Sequence, residues 1–419
     1  MYEVVLFKEN IMSDVSDLFE HLLNFGEHWE VTKIDVDDDR QQVEVHVEYT
    51  ASKAKCPDTG ERLPIYDHRK PRRWRHLNMM QYQTWIVCSL PRVKDANGNV
   101  KTVKAPWADA NQRFTFWFEA LAIRVAQLTK SPTKTAGFLQ SSYDVITGIL
   151  DRAVARGIKR RNAQEHTVRT LSMDEKAFRR GHDYITIVSC PQTGQVYDVC
   201  LGRKQSDTED LLEEIDQQIG LDQVEAVSID MWKAYINSVE STLPGARIVH
   251  DKFHVIAWLN KALDQVRRAE AKSEPELKNT RYLWLKNQKN HSDKQAENFK
   301  RVSQLNLVTA QAWQIKENFK ALYQQNSPIE GYHYFCQWFE DVATKGITAC
   351  KKVAKMCQTH LMGILNYINY PITNSRAEQV NSKIQQVKSI SKGYRNFGNF
   401  RTAILFYFGK LDLYPQGFP

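Results

Sequence analysis

The chain has 419 residues, 42% hydrophobic and 25% charged, with a formal net charge of +8 at pH 7. At about 100–200 residues per domain this length suits roughly two to four domains, and no uninterrupted apolar run reaches the ~18 residues of a membrane span. The start, MYEVVLFKENIMSD, lacks the basic, apolar and small-residue regions of a secretory signal, and seven scattered cysteines (56, 88, 190, 200, 336, 350 and 357) read as free thiols of a reducing, cytoplasmic compartment.

Charge is segregated along the chain. Residues 1–52 carry three basic and thirteen acidic side chains, residues 53–104 carry twelve basic and four acidic, and the remainder carries 42 basic and 32 acidic. A basic block suits a polyanion, of which nucleic acid is the commonest, and equally suits a solvated charged face. In residues 1–52, Val15, Leu18, Phe19, Leu22 and Leu23 recur at helical spacing up to Gly26, and Glu30–Asp35 and Gln42–Tyr49 alternate as strands, giving an acidic α+β lead-in. Residues 53–108 are rich in Pro, Gly and Arg with short β-like runs at Tyr82–Leu90 and Val100–Lys104, too little apolar material for a large core.

Residues 109–160 change character. Phe114–Leu128 is a strong helix, Ser131-Pro132 is an N-cap with Pro at the first helical position, and Ser141 and Ser142 cap a third helix over Tyr143–Arg156. Three short helices so spaced fit a helix-turn-helix or a plain helical bundle. From residue 165 strands and helices alternate: Thr167–Met173, Tyr184–Cys190 and Val196–Leu201 form a predicted antiparallel meander, followed by helix Asp210–Ile219, strand Val224–Ile229, helix Met231–Thr242 and strand Ala246–Val249. This β-β-β-α-β-α-β order is that of a ribonuclease H-like α/β fold with a mixed five-stranded sheet. A helical pattern over about 257–370 reads as an insertion into a domain running over 165–410.

Two apolar strands each deliver an acid to a sheet end, Asp174 in Leu171-Ser-Met-Asp174 and Asp230 in Val227-Ser-Ile-Asp230. In this topology the first and fourth strands are neighbours, so the two carboxylates suit a shared hard cation, which takes oxygen ligands. Glu378 is the best third acid: Asn374, Glu378, Asn381, Gln385 and Lys388 share one face of a helix over Asn374–Ile390, with an acid near its start and a base near its end. Each acid by itself also reads as a solvated or salt-bridged side chain. His250 and His254 stand four apart, but a strand runs up to Val249, so a supporting role for Asp251 or His254, or plain packing, fits better than zinc.

Together, Ser172-Met-Asp-Glu-Lys-Ala-Phe178, Asp230-Met-Trp-Lys-Ala-Tyr235, Asp251-Lys-Phe-His254, Thr373-Asn-Ser-Arg-Ala-Glu-Gln-Val-Asn-Ser-Lys383, Lys388 and Gly393-Tyr-Arg-Asn-Phe-Gly398 resemble the ISL-three insertion-sequence family of DDE transposases, over residues 45–410. The resemblance implies a catalytic triad of Asp174, Asp230 and Glu378 holding two Mg²⁺ or Mn²⁺ ions. Beside it, the residue patterns themselves mark Asp251, His254, Asn374, Arg376, Asn381 and Lys388 as supporting or phosphate-contacting groups, and the alternating basic and aromatic run with Arg69, Lys70, Arg72, Arg73 and Arg75, together with Ser141, Ser142 and Tyr143 at the start of the third helix, as DNA contacts. The activity the resemblance implies is binding of double-stranded DNA at terminal inverted repeats, then strand cleavage and transfer into a target by a homodimer. The alternatives are a transposase-derived regulator without catalysis and a ribonuclease H-like nuclease or resolvase. One departure stands out. The family's zinc ribbon has paired cysteines, whereas here Cys56-Pro-Asp-Thr-Gly60 has Thr59 in the second position and Val93-Lys-Asp-Ala-Asn-Gly98 has no cysteine, which argues against structural zinc even with His68 and His76 nearby.

Overall fold

The computed structural model describes residues 17–179, 183–305, 307–372 and 375–415. The chain divides into two compact units, Met1–Ala155 with Leu413–Pro419, and Arg156–Asp412.

In the first unit, helix α1 (described over 17–23) precedes the antiparallel hairpin β1 (Trp29–Asp37) and β2 (Gln42–Tyr49). The alternation in Gln-Val-Glu-Val-His-Val turns Val43, Val45 and Val47 inward, all buried. Strands β3 (Lys53–Lys55), β4 (Arg62–His68), β7 (Pro91–Lys94) and β8 (Val100–Thr102) form one four-stranded sheet, and β5 (Arg72–Arg75) and β6 (Gln83–Cys88) join β1 and β2 in another of order β1-β2-β6-β5. The boundary expected near residue 52 therefore does not separate two domains. Strand β2 pairs in parallel with β6, and one core takes Val45 from the acidic segment and Trp74, Ile86 and Trp107 from beyond it. The physical reason is the one that made the basic segment look incomplete: the sheet carrying Cys56 has a core of only Ala54, Cys56, Val93 and Val103 with a few partly buried neighbours.

Three helices follow: α2 (Phe116–Thr129), α3 (Pro132–Phe138) and α4 (Tyr143–Asn162), the last belonging to this unit as far as Ala155. Thr115 accepts from Phe118 N (3.3 Å), Ser131 from Lys134 N (3.4 Å) and Ser142 from Val145 N (3.2 Å), so each helix begins at a hydroxyl cap.

The second unit is built on a sheet of order β11-β10-β9-β12-β13. Strands β9 (Thr170–Ala177), β10 (Tyr184–Ser189) and β11 (Val196–Leu201) form an antiparallel meander, while β12 (Ala226–Ile229) lies parallel to both β9 and β13 (Arg247–His250). Helix α5 (Gln205–Ile219) links β11 to β12, and α6 (Lys233–Thr242) links β12 to β13. Leu211, Leu212, Ile215 and Val239 pack from these helices onto Leu171, Met173, Val188 and Val227 of the strands.

The helical insertion begins at Lys252, directly after β13 and earlier than about residue 257: α7 (Lys252–Glu270), α8 (Arg281–Leu285), α9 (Asp293–Ser303), α10 (Val308–Lys320), α11 (Pro328–Lys345), α12 (Thr348–Thr359) and α13 (Leu361–Asn369). It has its own core, centred on Leu259, Leu263, Trp284, Ile315, Phe319 and Trp338. Its last helix is fastened to the sheet edge, since Asn366 Nδ2 donates to Ile248 O at 2.8 Å and Gly363 leaves room for the His250 ring. The chain then returns through α14 (Ser375–Ile390) and α15 (Phe397–Phe408). The latter packs on β11, where Arg401 Nε donates to the buried Asp198 carboxylate at 2.7 Å.

Candidate functional site

Three parallel strands carry acids at one end of the second unit's sheet. Ser172 of β9 pairs with Ser228 of β12, and Asp174 and Asp230 each come two residues later; Ile229 pairs with His250, and Asp230 and Asp251 come next. Asp174, Asp230 and Asp251 are thus level in register. The expectation that Asp174 ends its strand is half right: β9 continues to Ala177 against β10, but its pairing with β12 stops at Ser172. Each acid uses one oxygen locally. Asp174 Oδ1 accepts from Glu175 N (2.8 Å), Asp230 Oδ1 from Trp232 N (3.0 Å), and Asp251 Oδ1 from Phe253 N (3.1 Å), where it caps α7. Asp251 belongs to this row by the same geometric criterion as the other two, a level placement that strand patterning alone assigns only to Asp174 and Asp230.

Helix α14 brings the remaining groups. Asn381 is buried and donates from Nδ2 to Asp174 Oδ2 at 2.5 Å, and Lys388 donates to Ala177 O at 3.1 Å, so the helix is pinned along β9 at two points. Glu378 lies one turn before Asn381 on that helix and is exposed, as are Arg376 and Gln385. Asn374 lies outside the described residues. Lys388 is thereby engaged with protein rather than extended toward solvent.

The electrostatics arise from crowding of like charges in a partly dry edge. Burial pushes the Asp174 carboxyl up to about 6, with Asp230 and Asp251 adding in the same direction while the Glu175 amide and His254 oppose. Asp230 is raised chiefly by burial, and Glu378 by burial and then by Asp251, with His254 again opposing. His254 Nε2 stands 3.8 Å from Asp251 Oδ2. His250 is different: burial, and then His360, hold its ring down to about 4, and it packs edge-on against His360 at 5.1 Å between ring centroids, a packing role.

Arg203, which no sequence motif singles out, ties this edge together. Its Nη1 donates to both Glu175 oxygens (2.9 and 3.2 Å), its guanidinium lies over Tyr184 (4.0 Å) and Trp232 (4.9 Å), and its carbonyl accepts from Trp232 Nε1 (3.3 Å). Glu175 and Trp232, one residue after Asp174 and two after Asp230, are therefore both held by Arg203. The available signal was a base directly after a strand, at Gly202-Arg203.

Oxygen-only donors among raised carboxyls suit a hard divalent cation, whose charge would offset their mutual repulsion. Among the described residues, no three His, Cys, Asp or Glu side chains are grouped closely enough to hold an ion as they stand.

In the first unit Arg69, Lys70 and Arg73 are exposed and Arg72 is half-buried, while Ser142 and Tyr143 are exposed at the start of α4 beside the half-buried Ser141. Arg75 does not join the solvent-facing set. It is buried, with its guanidinium donating to His76 O (2.6 Å), Thr84 O (3.3 Å) and Asn78; alternation puts it on the same face of β5 as the exposed Arg73, and what covers it is the segment bridged to it at Phe114 and the ring of Phe118, 5.3 Å from its guanidinium.

The profile of the ISL3-type DDE transposases, described as "Transposase", matches residues 171–404, and a second, "zinc-finger of transposase IS204/IS1001/IS1096/IS1165", matches residues 52–94. The chain is 26% identical over 373 residues to the transposase for insertion sequence element IS1001 of Bordetella parapertussis, covering 86% of this chain and 90% of that protein. It is 22% identical over 373 residues to the transposase for insertion sequence element IS1557 of Mycobacterium tuberculosis, covering 82% and 83%. The second profile places a zinc-finger module here, but the residues present do not fit the metal. Cys56 and Cys88 belong to separate cores. Cys56 sits in a tight turn closed by Gly60 N to Cys56 O (2.9 Å); a matching turn at Asp95–Asn99 is organised by the Asp95 carboxylate, which accepts from Asn97 N (2.9 Å) and Asn99 N (2.8 Å). An ion pair from Lys101 Nζ to Asp58 (2.6 Å) joins the two turns where zinc ligands would be expected.

Proposed function

The chain belongs to the ISL3-type DDE transposases, and from this premise we propose that Asp174, Asp230 and Glu378 form the site at which it cuts DNA at element ends and joins them to a target. The observation that carries the proposal is the level row of acids at the carboxyl ends of β9, β12 and β13, with α14 hydrogen-bonded onto it through Asn381 and Asp174. The strand order 3-2-1-4-5, with one antiparallel meander and two parallel additions, supports a ribonuclease H-like catalytic domain interrupted by the helical insertion. Domain limits near 165 and 410 accompany the same reading, and α2 to α4 are proposed as the helix-turn-helix that with the basic strands binds terminal inverted repeats.

Asp174, Asp230 and Glu378 are the residues that would hold magnesium or manganese, which when bound activates a water or 3′-hydroxyl nucleophile and stabilises the leaving oxygen. The chain's own contribution is placement. Local amides fix one oxygen of Asp174 and one of Asp230 and so orient the other, Arg203 holds the side chains of Glu175 and Trp232 just beyond them, and Asn381 holds Glu378's helix to the same edge. Asp251 and His254 add an ionisable pair beside Glu378. Two element ends require two such sites, which supports a homodimer on DNA.

The test uses end-labelled terminal-repeat DNA of the element that encodes the chain. Asp174→Asn is expected to retain end binding and to lose metal-dependent nicking and strand transfer. Undiminished cleavage by that variant removes Asp174 from the mechanism.

A further inference from the structure

We propose that an arginine-lined cleft in the first unit seats one strand of DNA, with phosphates on Arg72, Arg73 and Arg113 and base edges on Asp144, so that β5 and α4 read a single site together. This rests on the reading of the chain as a DNA-binding transposase and names where, and how, that binding is made.

The cleft has a volume of about 1090 Å³ and is walled by β5 and β6 on one side, the loop over residues 111–114, and the first turns of α4. Five guanidiniums line it, those of Arg72, Arg73, Arg75, Arg113 and Arg152, against the single carboxylate of Asp144. Four of the five are held in place by protein: Arg72 donates to Gln112 O and lies 5.1 Å over the Trp74 ring. Arg73 lies 3.9 Å over the Trp85 ring and pairs with Glu44 (3.0 Å), Arg152 lies 4.7 Å over Phe114, and the buried Arg75 is spent on carbonyls. Arg113 is exposed, and the charged form of Arg72 is disfavoured first by its burial and then by the like charges of Arg113 and Arg69. Like charges confined in this way are stabilised by an anion.

The distribution of charge identifies the anion. A free phosphate needs donors converging on one point, whereas these guanidiniums are spread over a strand, a loop and a helix, as a chain of phosphates requires. Ser141, Asp144, Val145, Gly148 and Arg152 recur at i, i+3, i+4, i+7 and i+11, so one face of α4 lines the cleft. On that face Asp144 repels phosphate but accepts from an exocyclic amine such as cytosine N4–H, and the exposed Val145 beside it suits a thymine methyl. Gly148 keeps the wall low, since a Cβ there would sit 3.4 Å from Arg152 Nη1. The volume is that of a few nucleotides and far below a duplex, so the occupant is the strand that borders the groove facing α4.

The experiment uses the full chain carrying Asp174→Asn, to prevent cutting, and a pool of DNA duplexes with a randomised core. Arg113→Gln and Arg73→Gln are each expected to weaken binding to the pool about tenfold and to make the slope of log affinity against log salt shallower by about 1, with the thermal midpoint unchanged for Arg113→Gln. Asp144→Asn is expected to leave pool affinity undiminished and to erase one base preference from the selected sequences. Arg113 is exposed, so its variant carries the test even if Arg73→Gln folds poorly. Duplex retention with affinity, salt slope and base preference all unmoved in these variants overturns the cleft alone. Failure of the parent chain to retain any duplex overturns the cleft and the DNA-binding reading together.

Discussion

Asp174→Asn tests the electrostatics of the acid row without any assay of catalysis. In the folded chain burial pushes this carboxyl up to about 6 from the ordinary 3.8, so in the absence of metal its ionised form costs stability. The sign comes from proton counting. Below about pH 4 both states bind the proton and the cost is absent. Between about 4 and 6 the unfolded chain has lost the proton and the native chain keeps it, so stability falls as pH rises; above about 6 the whole cost is present. Two pH units correspond to about 3 kcal/mol. The neutral amide removes that cost, but it cannot accept from Glu175 N and Asn381 Nδ2 as the carboxylate does, a loss of about 1 kcal/mol. The net gain is therefore about 2 kcal/mol at pH 8, or about 4–8 °C in the melting of a unit this size. Calorimetry in EDTA at pH 4 and pH 8 measures it: the variant should melt higher than the parent at pH 8 and no higher at pH 4. A difference independent of pH, or one of opposite sign, refutes the claim that Asp174 is held charged against its surroundings.

The remaining expectations use other contacts. Arg203→Ala removes the bridge to Glu175 and the cation over Tyr184 and Trp232, and should slow nicking about 10–100-fold while raising the magnesium concentration needed for half-maximal rate. Arg203→Lys should recover part of both, and an unchanged magnesium requirement in the alanine variant would show that Arg203 does not position the acids. Gly363→Ala drives a methyl into the His250 ring, and should destabilise the second unit by about 1–3 kcal/mol in thermal melts; equal midpoints would show that the α13–β13 contact yields freely. Chelation should leave the near-ultraviolet circular dichroism of the first unit unchanged, since Lys101 and Asp58 join the two turns of its ribbon-like sheet; stoichiometric zinc in the purified chain, with loss of that signal on its removal, would contradict this.

Periodicity located the elements of the second unit because its strands are short apolar runs between helices of clear amphipathic pattern. Val196–Leu201 is found as expected, and β10, β12 and β13 differ by a residue or two at their ends. Strands β3, β4, β5 and β7 were not legible. Arg72–Arg75 is charged at three of four positions and Arg62–His68 is broken by Pro64, and their strand state is set by partners across the sheet: Trp74 faces Ile86, and Asp67 pairs with Arg92. The same dependence on partners explains the lost boundary near residue 52, since parallel pairing of β2 with β6 joins segments that nothing local connects.

At the site, local sequence marks where a strand delivers an acid but not which acids come level, because register belongs to the sheet. Asp174 and Asp230 were legible since each comes directly after an apolar run. Asp251 does too, after Arg247-Ile-Val-His250, yet its neighbours Lys252, Phe253 and His254 drew attention to histidine chemistry instead. The register places all three acids in one line, and their differences then come from the backbone just beyond each carboxylate. Glu175 continues a strand, Trp232 precedes α6, and Phe253 lies in the first turn of α7, so Asp251 alone is committed as a helix cap at 3% exposure. A ligand that must reach a cation is better supplied from an exposed helix face than from a capping carboxylate. Glu378 meets that condition, and the Asn381 bond to Asp174, which no spacing rule reveals, fastens its helix to the acids it would have to join.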